Sequence, residues 1–129
     1  MAIHLNHTIV HARDPAASAQ FLSDILGVPG PKPFGPFMEV HVDNDVTLAF
    51  IRAEPDEIIV EHYAFLVSEG EFDQIFGRIR ERGLQYWADP AHRHPGVINH
   101  NDGGRGVYWN DPNGHYLEII TRPYGSGGA

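Results

Sequence analysis

An internal repeat constrains this chain more than any other feature of its sequence. Residues 3–11 alternate as a strand, with Ile3, Leu5, His7 and Ile9 on one face. A helix follows, with Asp14 as N-cap, Pro15 at its first position, a stripe of Phe21, Leu22, Ile25 and Leu26, and Gly27 to end it. Gly30-Pro31-Lys32-Pro33 breaks the chain, and residues 37–42 and 46–51 form a hairpin turned at Asp43-Asn44-Asp45. Residues 58–67 then open a second copy. Ser68 and Glu71 have capping-box spacing ahead of a helix carrying Phe72, Ile75, Phe76 and Ile79 on one face, closed by Gly83. Residues 84–88 read as a short strand. After a long loop, residues 106–109 and 115–121 form a hairpin around Asp111-Pro112-Asn113-Gly114.

The expected fold is therefore α+β, with each copy running strand, helix, then two or three strands. Module one spans about residues 1–53 and module two about 58–122 of a single domain, with 123–129 expected as a flexible tail because Gly125-Ser126-Gly127-Gly128 has nothing to pack. A length of 129 residues allows one such domain and little else. The absence of cysteine excludes disulfides, thiolate ligands and a cysteine nucleophile. A net charge of −8 repels a phosphate backbone, so nucleic acid is not an expected partner. No apolar run is long enough to span a bilayer, and MAIHLNHTIV lacks the basic and apolar regions of a secretory signal. The expected location is the cytoplasm, with no membrane partner.

The repeat also selects among the nine histidines. His7 opens the first strand of copy one, and His62 holds the matching position in copy two. Leu48-Ala49-Phe50-Ile51 aligns with Leu117-Glu118-Ile119-Ile120, so Glu118 answers to Ala49. Glu118 is the least comfortable residue of the chain. It sits in its most strand-like segment, where an unpaired carboxylate would cost several kcal/mol. One histidine on an apolar strand face is ordinarily a hydrogen-bonded core residue, and an isolated Glu118 would ordinarily face water. Three such residues at repeat-related positions point instead to a two-histidine, one-carboxylate set for a divalent metal ion, with positions left open. The loop from Asp89 to Arg105 is longer than a hairpin needs, which suits a lid or pocket wall. His92 and His94 read as solvated loop residues. His100, nearest the returning strand, is the candidate acid or base, and Arg105 a candidate substrate contact. Phe37, Phe50, Trp87 and Trp109 are the aromatic residues expected to line a flat apolar pocket.

Asn6-His7-Thr8, the helix over 15–27, Glu61-His62-Tyr63-Ala64-Phe65, and the run from Val107 through Asp111-Pro112-Asn113-Gly114 to Glu118 together resemble the vicinal oxygen chelate superfamily. That group holds glyoxalase I, bleomycin and fosfomycin resistance proteins and extradiol dioxygenases. The resemblance covers residues 3 to 122. It implies two βαβββ modules forming a curved sheet around a metal site, with ligands at His7, His62 and Glu118. Departures from the family's members discriminate further. Glyoxalase I takes a fourth ligand where this chain has Ala49. Fosfomycin-modifying members have a threonine at Ile9, and their lysine has no counterpart near Trp87-Ala88-Asp89. Bleomycin-binding members lack the triad. Three ligands and Tyr108, ten residues before Glu118, resemble the ring-cleaving dioxygenases. Phe34-Gly35-Pro36-Phe37, residues 62–69, Tyr86-Trp87-Ala88-Asp89-Pro90, residues 101–108 and 118–125 are similar to a subgroup typified by the ring-cleaving oxidase of chartreusin biosynthesis.

The resemblance implies oxidative ring cleavage of a polycyclic aromatic, polyketide-like substrate by dioxygen, with Tyr108 and His100 handling protons. It implies one divalent ion, Fe(II) first, with Mn, Zn, Ni and Co as alternatives, and an external reductant such as reduced flavin for a quinone-level substrate. Members of this size dimerise, so a homodimer is expected, with modules kept or exchanged between chains. Two other classes stay open: a protein that sequesters an aromatic antibiotic without turnover, and a metal-dependent lyase, isomerase or thiol transferase.

Overall fold

Both helices begin where a side chain relieves the first unpaired N–H groups. Helix α1, Pro15–Leu26, starts with Asp14 accepting from the Ala17 N–H at 3.1 Å and ends at Gly27, whose φ of 75° lies in the left-handed region. Helix α2, Glu69–Glu81, carries the full capping box: Ser68 Oγ accepts from the Glu71 N–H, and the Glu71 carboxylate accepts from the Ser68 N–H at 2.8 Å. Glu69 and Glu71 in its first turn, and Arg78 and Arg80 in its last, also suit the helix dipole.

The computed structural model describes residues 2–127 and divides into two compact units, Met1–Ile59 and Val60–Ala129. In unit 1, strands β1 (His7–Ala12), β2 (Lys32–Phe34), β3 (Phe37–Val42) and β4 (Val46–Arg52) form a sheet in the order β1-β4-β3-β2. β1 runs parallel to β4 with His7 opposite Thr47, and β3–β4 is an antiparallel hairpin. Helix α1 lies on the face made by Val10, Ala12, Val40, Leu48 and Phe50, which it buries together with its own Ala19, Leu22 and Ile25. In unit 2, strands β5 (His62–Leu66), β6 (Gly106–Asn110) and β7 (Tyr116–Ile120) form a sheet in the order β5-β7-β6, with β5 again parallel to its partner. Val107, Trp109, Leu117 and Ile119 form the buried face of that sheet, and Phe72, Ile75 and Ile79 the buried stripe of α2. The two sheets and two helices are the α+β, two-module plan expected from the repeat.

Four expectations change, each for a backbone reason. β1 begins at His7 rather than residue 3, because β4 emerges from its turn only at Val46 and offers no partner further on; Ile3 and Leu5 are left exposed. β5 begins at His62 rather than residue 58 for the equivalent reason, since β7 starts at Tyr116 after the Asp111–Gly114 turn. That turn is held by Asp111 Oδ1, which accepts from the Asn113 and His115 N–H groups, and by Gly114 at φ 90°. Residues 84–88 form no regular strand. Trp87 alone pairs with Tyr108, while the Tyr86 carbonyl and the Ala88 N–H are taken by Gly96 and His94 across a local loop. Lys32-Pro33-Phe34, expected as a break, instead pairs with β3 as an edge strand, where proline is tolerated.

Leu22 is 1% exposed beneath the sheet of unit 1. Replacing it by alanine is expected to cost about 2–5 kcal/mol. The measurement is a lower urea midpoint with an unchanged slope.

Candidate metal-binding face of the three-stranded sheet

Alternation along β7 sends Leu117 and Ile119 into the core and turns Tyr116, Glu118 and Ile120 to the other face. Glu118 is central there, with Ala64 of β5 on one side and Tyr108 of β6 on the other. His62, one step back along β5, reaches diagonally across, and its Nε2 lies 2.8 Å from Glu118 Oε1. The Tyr108 ring sits edge-on to the His62 imidazole at 5.5 Å. The Glu118 side chain is 0% exposed, whereas that of His62 is 44% exposed. A buried carboxylate is tolerable only with partners, and the second oxygen has one: the Tyr124 hydroxyl donates to Oε2 in a close contact. Tyr108 and Tyr124 are joined oxygen to oxygen at 2.9 Å. Because Tyr124 gives its proton to Glu118, Tyr108 donates to Tyr124.

Burial, the hydrogen bond to Tyr124 and the neighbouring Glu118 push the Tyr108 hydroxyl well above the ordinary tyrosine value. Tyr124 is pushed up to about 12, first by burial and then by its bond to Glu118. Both hydroxyls therefore keep their protons throughout the neutral range.

A stack of rings borders the same face. Trp87 pairs with Tyr108, and His92 lies flat on Trp87 at 3.6 Å and 7°, with Tyr116 5.0 Å from its other side. His92 holds a φ of 59°, and its buried Nε2 makes no hydrogen bond. The turn before it is built on Asp89, whose carboxylate accepts from the Arg93 and His94 N–H groups. These bonds keep the Asp89 carboxyl below its usual range despite desolvation that opposes them.

The remaining candidates fall in different places. His7 belongs to unit 1, exposed on the sheet face away from α1, with Nδ1 2.8 Å from Asn6 Oδ1. Phe37 shares the His7 face through its alternation with Glu39 and His41, which lie opposite Ala49 and Thr47. Phe50 lies on the opposite, buried face under α1. Trp109 alternates away from Tyr108 and is 0% exposed in the core of unit 2, not beside Glu118. Arg105 is committed to α2: Nε meets Glu69 Oε1 at 2.7 Å, one terminal nitrogen meets Asp73 at 2.8 Å, and the guanidinium covers the Phe72 ring. His100 is exposed at the head of a 3-10 turn, Asn101–Gly103, and among the described residues it makes no hydrogen bond to the Glu118 network. His115, unlike His62, is a structural histidine, 0% exposed with Nδ1 accepting from the Glu61 N–H. No group of three histidine, aspartate or glutamate side chains within reach of one ion is found among the described residues.

Three members of the face, His92, Tyr116 and Tyr124, are not picked out by the sequence. His92 reads in the sequence as a solvated loop residue, and Tyr124 falls in the segment expected as a flexible tail. That segment forms turns as far as Gly127, and Gly128 and Ala129 lie outside the described residues. A single tyrosine amid glycines was the only available signal.

The family model described as Glyoxalase/Bleomycin resistance protein/Dioxygenase superfamily matches residues 4–119. Two solved structures are similar over nearly their whole length. "Oxidase ChaP-H1" is 69% identical, with 96% of this chain and 99% of that chain covered at a TM-score of 0.92. "Oxidase ChaP-H2" is 63% identical, with 99% and 100% covered at 0.94. The fosfomycin resistance protein FosX from Mesorhizobium loti, 20% identical with 95% of each chain covered and a TM-score of 0.69, shares the fold. No curated protein matches this chain. Among the described residues no helix is long and apolar enough to cross a membrane.

Because the folded-state value of Tyr124 is raised above the ordinary 10.0, stability is expected to fall as pH rises from about 10 toward 12. In Glu118→Gln the Tyr124 ionisation should move down toward 10, since the acceptor's charge is gone. Ultraviolet absorbance titration, taken as a difference against Tyr124→Phe in each background, checks both.

Proposed function

Because the chain belongs to the Glyoxalase/Bleomycin resistance protein/Dioxygenase superfamily, we propose that it is a metal-dependent oxidase. In this reading it holds one divalent ion with His7, His62 and Glu118 and cleaves a C–C bond in an aromatic, polyketide-like ring. The observation that carries the proposal is Glu118 itself: a fully buried carboxylate in the middle of a sheet face, with an imidazole nitrogen 2.8 Å from its oxygen. Two donor atoms aimed at each other at that distance are satisfied by a shared proton, and equally by a cation that replaces it. The chemistry of His7 also fits. Asn6 Oδ1 can only accept, so Nδ1 of His7 donates to it and the neutral ring leaves its Nε2 lone pair for a metal.

The identity of the two close relatives as oxidases supports an enzyme of oxidase type. A divalent ion with open positions, Fe(II) foremost, held by these residues would supply Lewis acidity toward two vicinal substrate oxygens and a place for dioxygen. The protein supplies the rest. Tyr108 and Tyr124 remain protonated and present hydroxyls at the reacting face. The Trp87–His92–Tyr116 stack offers a flat wall for a planar ring. A catechol-level substrate carries all the electrons that its cleavage by dioxygen needs; a quinone-level substrate needs an external two-electron reductant such as reduced flavin. A homodimer belongs to the same proposal, because family members of this size dimerise.

Elemental analysis of protein prepared with Fe(II), Mn(II) or Zn(II) is expected to find one ion per chain in wild type and none in Glu118→Ala. With Fe(II), oxygen uptake should accompany loss of a polycyclic hydroxyaromatic substrate. Wild type that takes up no metal would overturn the proposal. Tight binding of the aromatic without turnover, retained in the triple alanine variant of His7, His62 and Glu118, would replace it with sequestration.

A further inference from the structure

The polar contacts of Tyr124 are made by a segment that the proposed chemistry does not use. Although its hydroxyl is desolvated against Glu118, Tyr124 as a residue is 55% exposed, so burial of its ring does not hold it in place. Its backbone is held from elsewhere. Asp102, itself at φ 57°, directs Oδ1 at two N–H groups of the final turn, Gly125 at 3.1 Å and Gly127 at 3.2 Å. Arg122 donates to the Ser126 carbonyl at 3.1 Å, and Ser126 Oγ donates to that of Pro123 at 2.6 Å.

The glycines of this segment have local reasons to be glycine. Gly125 has a φ of 83°, which a side chain would disfavour. Gly127 approaches the Asp102 backbone so closely that a β-carbon would collide with it. Such a composition builds a tight turn on Asp102, and the turn carries one hydroxyl to one carboxylate oxygen.

We propose that Tyr124 is the positioning residue of the Glu118 carboxylate, held over it by the Asp102-anchored C-terminal turn. Tyr124 occupies Oε2, so Oε1, the oxygen that faces His62, is the one left to bind a metal ion. A carboxylate capped in this way binds through one oxygen and keeps a fixed rotamer. By accepting from Tyr108, Tyr124 also fixes the direction of that hydroxyl. This inference rests on Glu118 being a metal ligand, and it adds the device that orients it.

The test is Co(II) binding, followed by affinity and by the visible spectrum of the bound ion, in wild type, Tyr124→Phe and Asp102→Ala. Tyr124→Phe keeps the ring and loses the hydroxyl; Asp102→Ala releases the turn and leaves both Tyr124 and Glu118 intact. Each is expected to bind Co(II) about 10–100-fold more weakly, with an altered spectrum, and to melt somewhat below wild type because a buried carboxylate oxygen loses its donor. Ser68→Ala, which loosens the cap of α2, is the control for general loss of stability and should leave affinity and spectrum unchanged. Wild-type affinity and spectrum in both Tyr124→Phe and Asp102→Ala would overturn the inference while leaving the metal site standing. Wild type that binds no Co(II) at all would remove the metal site, and this inference with it.

Discussion

A carboxylate that water cannot reach governs the organisation of the second unit. Glu118 stands at the centre of the three-stranded sheet, and leaving it without partners would cost several kcal/mol. Each neighbouring element answers that demand. β5 runs parallel to β7 in the register that lets His62 reach Oε1 diagonally, β6 presents Tyr108 directly opposite, and the C-terminal turn brings Tyr124 to Oε2. Removing any one partner leaves charge or polarity buried, so these residues depend on one another far more than their sequence separations suggest.

The same strand fixes where the hydrophobic core lies. Because side chains alternate, the register that turns Glu118 toward His62 must send Leu117 and Ile119 the other way, and a slip of one residue would exchange the two sets. Val107 and Trp109 follow on β6, and the core collects on that side. Arg105, at the entrance to β6, then ties this layer to α2 through Glu69, Asp73 and the face of Phe72. The polar face and the apolar core are two consequences of one register.

This explains which parts of the molecule could be read from the sequence. The helix starts were legible because Asp14, and Ser68 with Glu71, act on backbone only three residues away. Glu118 was legible as a misfit inside an apolar strand. Phe50 and Trp109 were assigned to the site by their aromatic character, although each is one residue from a site position and alternation therefore puts it on the other face. Arg105 reaches across 36 positions to α2, and Asp102 across 23 to Gly125. No local pattern announces such contacts. The glycine-rich end carries no local signal of its contacts, because glycine needed for a tight approach looks the same in sequence as glycine left free to move.

The two sheets allow the repeat to be checked residue by residue. In unit 2, His62 lies two residues before Ala64, which pairs with Glu118; in unit 1, His7 lies two residues before Ile9, which pairs with Ala49. His7 therefore stands to Ala49 as His62 stands to Glu118. On the next strand, Tyr108 beside Glu118 corresponds to Glu39 beside Ala49. Both units thus carry the histidine, and only unit 2 carries the carboxylate at the central position with the hydroxyls that cap it. Glu39 does not restore that carboxylate in kind: it lies one strand further from β1, and its carboxylate is 3.6 Å from His41. The one difference at the central position, Glu118 in unit 2 against Ala49 in unit 1, is identifiable only through the registers of β1 on β4 and of β5 on β7.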